Sequence, residues 1–323
     1  MQSSTFLVVV VLFVVICTTR GLRVKESCAG FQSFYRDLNL NHSTPQEVIR
    51  GSHLKICPAR LTCCTVEVER DLREFAAADF REKIELKSKS VSDLFGVEHQ
   101  KFDEFFKDLI DSSATQLDQL FVDTYGHLYS DNSRIFTELF HNLKDYYRGG
   151  PVMVDDIFDE FFTGLMQKVF ELLNRSYILD DDYMGCIADN MYRIKPFKDI
   201  PQRLSAQVQR AFIAARTFVH GFHTGMELTR KLAQISPTKQ CSSALVRMKY
   251  CDRCELTTIN ACRGLCSNVA RMCLCEYNQL HPVWLEYINA MDMLLSRLKG
   301  PFNVEVLLRR IDLTISDAIM TVQ

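Results

Sequence analysis

The sequence predicts an all-α protein held together by disulfides. Three observations carry that prediction: an apolar N-terminal run, a dense set of cysteines, and long phenylalanine-rich stripes at helical spacing. Runs that alternate apolar and polar residues, as strands do, are nearly missing.

The N-terminus comes first because it sets the redox compartment. Phe6 to Cys17 is an unbroken apolar run. At 1.5 Å per residue it extends only about 18 Å, too short for about 30 Å of bilayer hydrocarbon. It fits the core of a secretory signal peptide, with the small or polar residues Thr18, Thr19 and Gly21 behind it. Residues 1–21 are therefore read as the signal and 22–323 as the mature chain.

Cysteine usage agrees with that compartment. Cys17 leaves with the signal, and the cysteines that remain form an even, dense set, as extracellular disulfide frameworks do. The densest stretch is YCDRCELTTINACRGLCSNVARMCLC, residues 250–275. Zinc is its competing reading, because Cys251 and Cys254 look like half a ribbon. The next pair, Cys262 and Cys266, follows too soon for a ribbon, and no histidine lies among them. Cys63 and Cys64 are adjacent, so bonding to each other would strain the ring between them; they tether two different segments.

The body of the chain is read as helices in order. Phe102, Phe105, Phe106, Leu109, Leu117, Leu120, Phe121, Tyr125 and Leu128 recur at the spacing of a buried helical stripe. Ile135, Phe136, Leu139, Phe140 and Leu143 continue it, until Gly149-Gly150-Pro151 breaks the chain. A helix resumes with Ile157, Phe158, Phe161, Phe162, Leu165, Met166, Val169 and Phe170; Asp155 and Asp156 suit the dipole at its start. A fourth runs from about Pro201 to Leu232. A fifth follows Pro282, carrying Trp284, Tyr287, Ile288, Met291, Leu294, Leu295 and Leu298, and ends at Gly300-Pro301. These aromatic stripes are read as core, not as a cofactor box.

Composition excludes some functions. With 47% hydrophobic residues, 24% charged and a net charge of −2, there is no basic excess to suggest nucleic acid. GxSxG, HExxH, Walker A and GxGxxG motifs are absent, so no catalytic residue, metal or cofactor is assigned from the motifs, and a secreted enzyme or metalloprotein with an unrecognised site stays as a third reading. His220 and His223 have a ligand-like spacing but no acidic or cysteine neighbour in sequence. Asp180-Asp181-Asp182 reads as a turn and N-cap. Arg193, Lys195, Lys198, Arg203 and Arg210 read as a solvated surface. Asn41-His-Ser43 and Asn174-Arg-Ser176 are glycosylation sequons. Serine followed by glycine, the minimal acceptor for a glycosaminoglycan chain, occurs nowhere in the 323 residues. The expectation is that this chain by itself carries no heparan sulfate.

The blocks GSHLKICPARLTCC (51–64), KFDEFFKDL (101–109), FVDTYGHLY (121–129), AFIAARTFVHG (211–221) and GPFNVEVLLRRIDLTISDAIM (300–320), with the cysteines from 28 to 273, resemble the glypican family. Within the family the dally-like subgroup is the best likeness. The resemblance covers the N-terminal two-thirds of a glypican core. In the family's cysteine signature, Leu256 replaces a glycine, Ala261 a proline, and Leu265 and Met272 the aromatic and glycine positions.

The resemblance implies an elongated helical core stapled by disulfides near its N-terminal end, with no enzymatic activity. It implies the pairs Cys28–Cys63, Cys57–Cys251, Cys64–Cys254 and Cys241–Cys273. Positions matching Cys186, Cys262 and Cys266 bond in glypicans to cysteines further along the chain, and Cys275 has no inherited partner. These four are expected to make the 323-residue chain, expressed alone, prone to disulfide-linked dimers or to retention in the secretory pathway. Glypicans carry heparan sulfate, are held at the cell surface by a GPI anchor, and act as co-receptors for Wnt, Hedgehog, fibroblast growth factor (FGF) and bone morphogenetic protein (BMP) ligands. An anchor signal and an acceptor-serine stalk are absent from these residues, which suggests a C-terminally truncated core. The alternative expectation is a secreted helical binding protein, an antagonist without sugar chains or anchor.

Overall fold

The structure is a computed structural model. It describes residues 27–257 and 259–322, leaving aside the side chain of Tyr192; the signal-peptide expectation for 1–21 lies outside them. The described chain is dominated by helices, with one short two-stranded sheet. It divides into two compact units, each built from two chain segments: up to Leu86 with Gln234–Gln279, and Lys87–Ala233 with Leu280 onward. No linker composition marks a boundary in the sequence, because the chain leaves the first unit and returns to it. Among the described residues no helix is long and apolar enough to cross a membrane.

The first unit starts with α1 (Ala29–Asp37), which buries Phe31 and Tyr35. β1 (Ile49–Gly51) and β2 (Ala59–Thr62) pair antiparallel, Ile49 opposite Thr62 and Gly51 opposite Ala59. Helix α2 (Val66–Tyr125) begins here, its first turn capped by the Thr65 hydroxyl, which accepts the Val68 N–H at 3.3 Å. Val68, Leu72 and Ala76, spaced four apart, face the same core as Leu245, Val246 and Tyr250. α9 (Lys239–Lys249), α10 (Cys251–Cys254) and α11 (Arg263–Cys273) complete the unit. Thr238 caps α9 by accepting the Cys241 N–H at 3.1 Å.

The second unit takes the rest of α2, then α3 (His127–Ser130), α4 (Arg134–Arg148), α5 (Val154–Leu173), α6 (Asp181–Asp189), α7 (Met191–Ile194) and α8 (Ile200–Leu232). It is completed by most of α12 (Cys275–Lys299), with α13 (Val304–Leu308) and α14 (Ile311–Val322). The phenylalanine stripes are its core: Phe106, Phe121, Phe158, Phe162, Phe197 and Phe212 are at most 1% exposed. Gly149 ends α4 at φ 100°, a left-handed conformation that costs a side-chain-bearing residue strain.

Two element boundaries differ from the sequence reading. The sequence marks a helical stripe from Phe102, but α2 already starts at Val66 and runs 60 residues. Between Ala76 and Phe106 only Ser92 is buried, so that stretch shows no stripe, yet neither proline nor a run of breakers interrupts it. The second difference is Pro282, which lies inside α12 instead of preceding it. Proline has no N–H to offer the Asn278 carbonyl, so the helix loses one bond there and continues.

α8 and α12 pack closely within the second unit. The Tyr287 hydroxyl donates to the Gly221 carbonyl at 2.8 Å. A Cβ on Gly225 would lie 2.6 Å from that hydroxyl oxygen and 3.0 Å from the Phe95 ring. Gly225→Val is therefore expected to cost about 1–3 kcal/mol by overpacking. A denaturant titration checks it; a midpoint equal to wild type would mean that α12 is free to move aside.

Candidate functional site

The cysteines identified in the sequence fall into two groups. The structure bonds Cys28 to Cys63, Cys57 to Cys251, Cys64 to Cys254 and Cys241 to Cys273, with Cα–Cα distances of 5.6, 5.2, 5.3 and 4.9 Å. All eight lie in the first unit. Cys186, Cys262, Cys266 and Cys275 are free thiols and exposed. Cys262 stands at the N-cap of α11 with Cys266 one turn on, whereas Cys186 sits on α6 of the second unit.

The staple is reinforced by polar contacts. The Cys63 N–H donates to the Cys254 carbonyl at 2.8 Å, and the Thr62 hydroxyl to the same oxygen at 3.2 Å. The loop at Cys57 is held from two sides. The buried Glu69 carboxylate accepts the N–H groups of Lys55, Ile56 and Cys57 at 3.2, 2.9 and 2.6 Å. The Arg247 guanidinium donates to the Ile56 and Lys55 carbonyls at 3.1 and 3.2 Å. Nearby, the Asp71 carboxylate accepts from the Tyr35 hydroxyl at 2.5 Å and also pairs with His42. Burial, reinforced by Asp71, holds the Tyr35 phenol well above the ordinary tyrosine range.

The two sequons differ in access. Asn41 is exposed on the loop after α1. Asn174, the C-cap of α5, is half-buried, and its Nδ2 donates to the Phe170 carbonyl at 2.9 Å. A glycan needs that nitrogen. Expressed through a secretory pathway, Asn41 is thus expected to be glycosylated more fully than Asn174. Site occupancy by peptide mass spectrometry checks it, and equal occupancy would show that the Asn174 bond opens readily.

The second unit contains an apolar pocket of about 170 Å³. The end of α2 supplies Phe121 and Tyr125, α3 Leu128 and Tyr129, α4 Ile135 and Phe136, α5 Leu165, Val169 and Leu172, and α14 Ile319. Its wall is an aromatic cluster: Phe121, Tyr129 and Phe136 lie 5.1–5.5 Å apart between ring centroids. The Tyr129 hydroxyl is satisfied by donating to Asp118 at 2.8 Å, and burial pushes its phenol up. Lys168 and Arg175 line the same pocket, Lys168 tied to Glu171 at 3.1 Å. The wall is apolar, and its polar side chains include Asn132 beside the basic Lys168 and Arg175. Leu128 and Leu173 are 44% and 57% exposed, although both belong to apolar helical runs. In the sequence Leu128 reads as core, and the pocket is not legible there.

Other residues from the sequence take plainer roles. Asp180 caps α6 by accepting the Tyr183 N–H at 2.9 Å. Arg203 pairs with Asp199 at 3.3 Å. Among the described residues no group of histidine, cysteine or acidic side chains is arranged to hold a metal.

Comparison with known proteins places these features. The family model described as Glypican matches residues 8–323. Glypican-1 of Gallus gallus is 32% identical over 301 residues, covering 92% of this chain and 54% of its own length. A crystal structure of C-terminally truncated glypican-1 superposes with a TM-score of 0.86 at 29% identity, covering 93% of this chain and 71% of that one. The structure of Dally-like protein in complex with O-palmitoleoyl serine superposes with a TM-score of 0.79 at 31% identity, covering 92% and 71%. The chain thus spans about half the length of the glypican-1 relative.

Proposed function

The chain belongs to the glypican family, and from that premise we propose that it forms the core region of a heparan sulfate proteoglycan at the cell surface. In this reading it is secreted, GPI-anchored in its full-length form, and modulates signalling by secreted Wnt, Hedgehog, FGF and BMP ligands. The role is one of binding, not catalysis. The four disulfides of the first unit form the frame, Asn41 and Asn174 carry N-glycans, and the exposed Cys186, Cys262, Cys266 and Cys275 await partners elsewhere.

The observation that carries the reading is the apolar pocket of the second unit. A Dally-like protein of the same fold binds O-palmitoleoyl serine, and this pocket suits an acyl chain. Its walls offer Phe121, Phe136, Leu165 and Val169 and little that would need to be desolvated. Each methylene buried there contributes about 0.8 kcal/mol. Lys168 and Arg175 suit the polar end of a lipid-modified ligand. Acylated ligands of the Wnt class are therefore the favoured cargo.

Titrating O-palmitoleoyl serine into the protein, followed by intrinsic fluorescence or calorimetry, tests the reading. Saturable binding is expected, with Leu128→Gln/Leu173→Gln weakening it about tenfold by wetting the mouth. Both leucines are exposed enough for the fold to survive the change. Absence of binding, or equal binding by the double variant, would remove the pocket from the proposal.

A further inference from the structure

A second concavity, in the second unit, has the opposite character from the apolar pocket. It is an open cleft of about 800 Å³ where α2, the end of α4 and α8 meet. The ring contacts give the orientation. Phe102 meets Phe218 and Phe106 meets Phe212, each at 5.0 Å between centroids, while His99 meets His223 at 6.2 Å. As numbers rise on α2 they fall on α8, so the two helices run antiparallel and line the cleft as two parallel rows.

Those rows are basic. On α2, His99, Asp103 and Lys107 stand four apart; on α8, Arg216, His220 and His223 occupy the matching spacing. Each row is about 10–12 Å long. One end gathers the three histidines, His220 and His223 lying 6.4 Å apart with near-parallel rings. At the other end Arg216 lies over the Tyr146 ring at 4.7 Å, and Arg148 comes from the last turn of α4. The one lining carboxylate, Asp103, is already engaged: it accepts from Lys107 at 2.5 Å and from the Tyr147 hydroxyl at 3.1 Å. Neighbouring acids are engaged as well, Glu98 with Lys101 and Asp145 with His141. Arg148 is exposed. Between the two ends the α8 row carries Thr217 and the partly buried Val219, while the half-exposed Ile213 lies one turn beyond Arg216.

We propose that this cleft binds an extended acidic peptide segment of a protein partner, with carboxylates at both ends and an apolar side chain between them. The two ends lie about as far apart as three to four residues of extended chain reach, at about 3.3 Å per residue. Val219 between them gives a peptide side chain an apolar contact that a sulfated sugar unit would leave wet. Tyr146 and Tyr147 are each only 6% exposed, so no open aromatic face remains for a sugar ring to stack on. The histidine end offers imidazole N–H donors to a carboxylate, and the one lining carboxylate, Asp103, is engaged already.

The test uses the full chain and a fluorescein-labelled hexapeptide carrying two acidic residues on each side of a Leu-Tyr pair. Binding is read by anisotropy, and saturable binding is expected. Arg148→Gln, at an exposed site, should weaken it about fivefold. His99→Ala/His220→Ala/His223→Ala should weaken it about tenfold by removing the donors at that end. The peptide's amide counterpart, with Gln and Asn for its acids, should not bind. No binding of the acidic peptide, equal binding of the amide peptide, or indifference to Arg148→Gln would overturn the proposal. So would displacement of the peptide by a heparin-derived hexasaccharide at equal concentration, since the cleft would then prefer a sulfated glycan.

Discussion

Removing Cys57–Cys251 and Cys64–Cys254 together, as a fourfold serine variant, is expected to unfold the first unit, whereas removing either one alone should not. The two bonds span 194 and 190 residues, so they close nearly the same loop. Whichever remains still closes it, and the second then shuts only the small ring formed by 57–64 and 251–254. In the chain-entropy model the large loop is worth about 5 kcal/mol and the small ring about 3 kcal/mol. Each single removal should therefore cost about 3 kcal/mol and the double removal about 8 kcal/mol. The excess over additivity, about 2 kcal/mol, is the signature of nested loops. A loss of about 8 kcal/mol falls within the whole stability of an ordinary domain, about 5–15 kcal/mol. Denaturant titrations of the two paired-serine variants and of the fourfold variant check this. A fourfold variant that costs no more than the sum of the two would refute the nested-loop account.

The staple also illustrates what the sequence can and cannot carry. Two adjacent cysteines cannot easily bond to each other, so Cys63 and Cys64 had to reach different partners. In the structure those partners are Cys28 and Cys254. Which partners they reach is not written in the spacing; the pairing came from the family resemblance. The helices of the second unit were legible for a simple reason: their cores are phenylalanines at helical spacing, and burial selects for that spacing. The stretch between Ala76 and Phe106 was not legible, because its residues face solvent on most sides and carry no stripe. Pro282 misled for a local reason: proline usually marks a boundary, and here it sits in a helix interior.

Both concavities stayed hidden for a different reason, which is that each is assembled across elements. His99 and His223 are 124 positions apart and meet only because α2 and α8 are antiparallel. In sequence, His220 and His223 look like an incomplete ligand pair. In the structure they form the end of a basic cleft that a single element could not reveal. Leu128 likewise reads as the core of its helix, yet with Ile319 of α14 it lines one pocket.

Glu69 carries the other large effect, and nothing in the sequence distinguishes it from its neighbours on α2. It is 4% exposed, and its carboxylate accepts three consecutive N–H groups, those of Lys55, Ile56 and Cys57. Arg247 binds the carbonyls of Lys55 and Ile56. The loop's peptide dipoles thus lie between a negative and a positive charge, and each charge is satisfied by the backbone that it fixes. Hydrogen bonds to a charged group are worth about 1.5–3 kcal/mol each, and a buried donor left without a partner forfeits its solvation as well. Glu69→Ala strands up to three donors at once and leaves Arg247 without the opposing charge. The expected cost is about 3–5 kcal/mol, which lowers the melting midpoint by about 5–8 °C in a chain of about 300 residues. Glu69→Gln should recover little, because its amide group presents its own N–H bonds toward donors that need an acceptor. Hydrogen exchange separates this from general destabilisation: under native conditions the amides of residues 55–57 should lose protection first, while the core of α8 in the second unit keeps its own. If Glu69→Ala melted within 2 °C of wild type, with those amides still protected, the loop would be held by the Cys57–Cys251 bond and Arg247 alone.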